Sequence, residues 1–170
     1  MTYHTMIPKY TEADNVTGCC PVFHPEAWDN QIFDFKEYVF IKEYSSSIMH
    51  IPLNLGAAMT KAQKAIDLSH QAYLDQYLIL SKDLSPWKTE HYFLVKGEVE
   101  GYSLEKIEGN YLAKVYDGPF KDMSKWIKSY MDETHAQGLN VETIFMFYTT
   151  CPQCAKTYGH NYVVILGKIQ

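Results

Sequence analysis

The order of elements repeats along this chain. Twice, a β-prone run leads into helical spacing and then into two further apolar runs. In the first half, Tyr38-Val39-Phe40-Ile41 and 48–53 read as strands, separated by Ser45-Ser46-Ser47 as a polar turn. Ala58, Ala62, Ala65, Ile66, Ser69 and Tyr73 then recur at steps of three and four, which predicts a helix over 57–73. Strands follow at 76–81 and 91–98, with 82–90 as a turn-rich connection. In the second half, 111–117 is a strand and Gly118-Pro119 opens a helix. Its buried stripe is Met123, Trp126, Ile127, Tyr130 and Thr134, and Gly138 stops it. Strands at 144–149 and 161–169 complete the set. Laying one half on the other brings Pro86 onto Pro152.

Two tandem β-α-β-β modules predict an α+β protein with pseudo-twofold symmetry, helices on one face and a ligand cleft at the seam. The modules span about 36–100 and 108–170, so the domain is 36–170. Residues 1–35 carry Pro8, Pro21 and Pro25 and no sustained periodicity, yet include Phe23, Trp28, Phe33 and Phe35. This irregular segment is expected to pack on the body. Strand alternation places Met49, Ile51, Leu53, Ala113 and Val115 toward the helices. It turns Ile48, His50, Lys114 and Tyr116 the other way, toward the seam.

Charge narrows the function. All 15 cationic side chains are Lys, so the planar fork that grips phosphate and guanine is missing. The net charge is −5, which also argues against nucleic acid. With 14 Tyr, 8 Phe and 3 Trp, the chain offers rings and hydroxyls instead. The N-terminus shows no signal-peptide pattern, and no apolar run is long enough to span a membrane. The expectation is a cytoplasmic protein with a small-molecule ligand, no membrane and an unspecified protein partner.

The cysteines fall in two pairs, Cys19-Cys20 and Cys151-Pro-Gln-Cys154. In a reducing compartment such spacing points to metal, redox chemistry or plain burial rather than to structural disulfides. Cys20, Cys151 and Cys154 are the candidate zinc ligands, with Cys19 or His24 as the fourth. A redox dithiol is disfavoured because such motifs precede a helix, whereas a strand is expected soon after Cys154. No cofactor is otherwise required. No phosphate loop, HExxH or Gly-x-Ser-x-Gly elbow is present.

The strings GNYLAKVYDGPF (109–120) and FMFYTTCP (145–152), separated by a helix carrying Trp126, resemble the gyrase-inhibitor-like (GyrI-like) superfamily. The likeness covers roughly 36–170. Three further strings, CCPVFHPEAWD (19–29), SPWK (85–88) and TTCPQCAK (149–156), resemble a set of short stand-alone bacterial proteins often labelled hydrolases. The resemblance implies an aromatic cleft for bulky, often cationic or planar molecules, and in some relatives hydrolysis of strained electrophiles by a Glu and a Tyr.

On that basis Tyr148 matches the strand-end Tyr that donates to a developing oxyanion, and Glu90 is the acid that activates water. Trp28 and Trp87 are candidate stacking walls. His50, Tyr92, Lys114 and Tyr116 complete the ligand-binding set by alternation. The functional expectation is binding of a hydrophobic or aromatic small molecule, with hydrolysis of a reactive xenobiotic as its enzymatic form. The alternatives are a sequestration or regulatory protein acting by protein contact, and a zinc-dependent or redox protein centred on the cysteines.

Overall fold

The computed structural model describes residues 1–48 and 51–170, leaving aside the side chains of Ile51 and Pro52. His50, expected to line the seam, lies outside the described residues, as does Met49. The protein is a mixed α+β fold. Its strands are β1 (Tyr3–His4), β2 (Gln31–Asp34), β3 (Val39–Ile48), β4 (Ile51–Pro52), β5 (Ile79–Ser85), β6 (Lys88–Val95), β7 (Asn110–Asp117), β8 (Val141–Tyr148) and β9 (Tyr162–Ile169). Its helices are α1 (Leu55–Leu68), α2 (Met123–Ala136) and α3 (Pro152–Tyr158). Residues 35–108 form one compact unit, and residues 1–34 with 109–170 form another. Among the described residues no helix is long and apolar enough to cross a membrane.

In the 35–108 unit, β6 lies between β3 and β5 and is antiparallel to both. Ile41, Ile79, Phe93 and Val95 close on Ala62 and Ile66 of α1. Small residues at Ala58 and Ala62 let that helix sit near the sheet. It stops at Ser69, earlier than its spacing predicts, because His70 adopts φ +55 and leaves the helical region.

Ser45-Ser46-Ser47 is not a turn. It continues β3, and Ser45 and Ser47 are buried. Strand partners make that affordable: Ser47 Oγ lies 3.1 Å from Thr89 Oγ1, which donates to Asp83 Oδ1 at 2.8 Å. The connection 82–90 is likewise shorter than its composition suggests. β5 runs to Ser85 and β6 starts at Lys88, so only Pro86 and Trp87 turn.

The second unit repeats the pairing: β9 lies between β7 and β8, antiparallel to both. The N-terminal segment adds β2 beside β7, and β1 beside β2. α2 crosses this sheet at Gly167. A Cβ there would come within 2.3 Å of the Tyr130 hydroxyl, so glycine is what permits the approach. Tyr130 donates to the Leu112 carbonyl at 2.9 Å and accepts from the Gly167 N–H at 3.0 Å. The opposite sheet face carries an aromatic cluster: Trp28 sits 4.7 Å from Phe33 and 5.5 Å from Phe147 between ring centroids, with Phe23 beside it.

This packing corrects the alternation read for β7. Lys114 pairs with Glu133 of α2, and Tyr116 stacks on Trp126 of α2 at 5.6 Å. Both therefore turn toward the helix, and Ala113 turns away from it. The run 111–117 carries apolar and aromatic residues on both sides because both faces of the sheet are covered, so alternation alone could not choose.

A further correction concerns Cys151-Pro-Gln-Cys154. These residues begin a helix, not a plain turn. Cys151 is its N-cap, Pro152 occupies the first helical position, and Gly159 closes it at φ +74. A helix therefore does follow the motif.

Candidate functional site

α1 covers one face of the β3-β6-β5 sheet. The other face presents Lys42 and Tyr44 from β3, Glu90 and Tyr92 from β6, and Leu80 and Lys82 from β5, because residues paired across strands share a face. At its centre the Tyr92 hydroxyl donates to Glu90 Oε1 at 2.9 Å. Two residues apart on one strand, these side chains point the same way, so the pair follows from the pleat. Glu90 is only 7% exposed. Burial, and then the Glu90 carboxylate, push the Tyr92 phenol above its ordinary pKa, which keeps it a hydrogen-bond donor. Lys42 lies 5.5 Å from the Tyr92 ring and 3.3 Å from Glu105, and Lys88 lies 4.1 Å over the Tyr44 ring. The face thus combines a buried carboxylate, two phenols and several lysines.

Beneath it, on the α1 side, His91 is 2% exposed. Its Nε2 lies 2.8 Å from Ser45 Oγ and its Nδ1 2.7 Å from Ser81 Oγ. Burial lowers its pKa from 6.5 to about 4, so the ring is neutral and each nitrogen is satisfied by a hydroxyl that can donate or accept. Sequence reading missed this network. The signal was alternation through the serines, in which Ile41, Glu43, Ser45 and Ser47 share one face.

The second chemical feature lies in the other unit. Cys19, Cys20, Cys151 and Cys154 bring their sulfurs within 4.8 Å of one another. All four are free thiols. The Thr17 hydroxyl, 3.3 Å from Cys154 Sγ, brings that thiol down to about 7, whereas burial pushes Cys20 up. Cys19 supplies the fourth sulfur. His24 does not join them, because its Nε2 is held 2.7 Å from Asp14 Oδ1. Zinc chemistry suits four such donors.

The remaining expected residues are dispersed. Trp28, at 1% exposure, belongs to the aromatic core rather than to an open wall. Trp87 is 58% exposed at the β5-β6 turn. Tyr148 ends β8, with its ring edge-on to Phe120 at 5.5 Å and its hydroxyl 3.5 Å from Met146 Sδ. Recesses of about 650 Å³ by Ser69, Glu98 and Tyr102, and of about 80 Å³ by Gln63, Tyr73 and Phe93, do not include Glu90.

Fold and site together define an α+β protein with a buried carboxylate–phenol pair on the sheet face opposite α1, and a four-thiol cluster in the other unit. The chain belongs to the Bacterial hydrolase family, whose model matches residues 10–169. No curated protein matches it. Among solved structures it is similar to SAV2435 bound to tetraphenylphosphonium, at 15% identity and a TM-score of 0.48, over 78% of this chain and 88% of that one.

Proposed function

We propose that the protein binds a hydrophobic aromatic small molecule on the face of the 35–108 unit opposite α1 and hydrolyses it with Glu90 as general base. The observation that carries this reading is the Tyr92 hydroxyl on Glu90, at 2.9 Å, on a carboxylate otherwise shut away from water. Membership in a family named for hydrolysis supports it. Tyr44 and Tyr92 supply ring faces, but Lys42 and Lys88 already lie near them. The face therefore suits a neutral aromatic better than a cation.

For a strained cyclic ether the step balances simply. Water gives a proton to Glu90 as its oxygen bonds to the ring carbon. The carbon–oxygen bond breaks, and the departing oxygen takes a proton from a tyrosine hydroxyl. The Glu90 proton then returns to that phenolate through solvent, and the net change is addition of one water. The same reading takes the two β-α-β-β units as repeats of one module. It places the protein in the cytoplasm, where four adjacent thiols stay reduced.

Styrene oxide tests the proposal. The wild type should convert it to the diol and be stabilised by it in a thermal melt. Glu90→Gln should lower turnover by about 100-fold or more, the usual scale of a lost general base, while keeping the stabilisation. Unchanged turnover in Glu90→Gln removes the catalytic assignment. Stabilisation without turnover in the wild type removes hydrolysis and leaves binding. Tyr92→Phe tests the proton donor, because losing it should cost turnover while binding remains.

A further inference from the structure

We propose that Cys19, Cys20, Cys151 and Cys154 bind one Zn²⁺ in a closed, tetrahedral, structural site that fastens the N-terminal segment to α3. Four thiolates around zinc, at Zn–S distances of about 2.3 Å, stand about 3.8 Å apart. Here all four sulfurs fall within 4.8 Å of one another, and Cys19 and Cys20 are already 3.7 Å apart. A disulfide would need two of these sulfurs. Convergence of four on one centre is what a single ion requires.

The surroundings supply a second, independent argument. Zinc with four thiolates carries a net charge of −2, which hydrogen-bond donors to sulfur offset. The Cys151 N–H donates to Cys20 Sγ at 3.3 Å, and the Cys154 N–H donates to Cys151 Sγ at 3.4 Å. The Thr17 hydroxyl reaches Cys154 Sγ at 3.3 Å. The Cys-Pro-Gln-Cys turn thus directs two backbone N–H groups onto sulfur. Soft sulfur donors exclude calcium and magnesium, and four protein ligands leave no open position for a catalytic water.

The site also explains an oddity of the N-terminal segment. Residues 11–24 contain one three-residue 3₁₀ turn and no strand, yet Cys20 and Phe23 are buried. Tyr158 of α3 donates to the Cys20 carbonyl at 2.5 Å, and its hydroxyl lies 3.1 Å from Thr17 Oγ1. Metal ligation would complete this attachment, because four thiols bound to one ion join positions more than a hundred residues apart in sequence. The thiols release their protons to solvent on binding, and no redox change is involved.

The experiment uses the full chain, purified under reducing conditions without a metal-affinity tag. Elemental analysis should find about one zinc per chain, as a single four-ligand site requires. Reduced, chelator-stripped protein should take up one Co²⁺ with the thiolate charge-transfer and red d–d absorption of a tetrahedral sulfur site. Cys151→Ser and Cys19→Ser should each lose that spectrum and most of the zinc. Should either variant fail to fold, the wild-type metal content and cobalt titration still decide the matter. Zinc removal should expose the segment around residues 11–24 to protease while cleavage within 35–108 stays unchanged. Wild type without zinc, whose thiols alkylate equally fast with and without added Zn²⁺, would overturn the proposal. So would a Cys151–Cys154 disulfide in fresh protein, or iron with sulfide-dependent visible absorption. Zinc loss with unchanged proteolysis would overturn the fastening role.

Discussion

Acidification should destabilise this protein through His91. The ring is 2% exposed, with both nitrogens on serine hydroxyls, and burial lowers its pKa from 6.5 to about 4. In the unfolded chain it titrates near 6.5, so between pH 6.5 and 4 the unfolded state binds a proton that the native state refuses. Stability is complete above pH 6.5 and falls as pH drops through that window. The full shift corresponds to about 3 kcal/mol, of which about 2 kcal/mol is already lost at pH 5. Asp83 and Glu43 pull the other way, because their charges favour imidazolium, but burial wins. Urea unfolding by circular dichroism, repeated from pH 7.5 to 5, measures this. With a slope of about 2 kcal/mol per molar for a chain of this size, the midpoint should drop by about 1 M. In His91→Gln, whose amide can still meet both serines, that pH-dependent drop should largely vanish. The same drop in both proteins, or an NMR titration of His91 near pH 6.5, would refute the reasoning.

Gly167→Ala should cost about 3 kcal/mol, since a Cβ would strike the Tyr130 hydroxyl at 2.3 Å and break a buried hydrogen bond. A thermal melt checks this, and a loss below 1 kcal/mol would mean that α2 shifts freely. Trp28→Ala should cost about 3–5 kcal/mol, whereas Trp87→Ala should change stability by less than about 0.5 kcal/mol. Denaturant titration separates the two, because one ring is 1% exposed and the other 58%. Thr17→Val should leave the fold intact yet weaken metal retention at the cysteines, read as faster zinc release to a chelator, since its hydroxyl lies 3.3 Å from Cys154 Sγ.

Much of the fold was legible where periodicity met a stop signal. The stripe containing Tyr130 and Thr134 predicted α2, and Ala58, Ala62 and Ile66 predicted α1. Legibility failed where nonlocal partners decide. Three serines look like a turn until Thr89 and His91 arrive from β6 to satisfy two of them. The seven-residue α3 was missed although Pro152 and Gly159 bracket it, because so short a helix shows no hydrophobic period. Of the candidate site, Glu90 and Tyr92 were picked separately. Their hydrogen bond needed β6 to begin at Lys88, which puts 90 and 92 on one strand and so on one face.

The sequence by itself determined what the chain could use: rings without arginine, two amphipathic helix stripes among β-prone runs, and four cysteines. Those are local properties, set by composition and by backbone preference over a few residues. Tertiary structure alone decided which way β7 faces, and that Cys19 rather than His24 completes the sulfur cluster. The register of a strand buried on both faces depends on what covers each face. A ligand set split between residues 19–20 and 151–154 exists only once the chain has closed that distance in space.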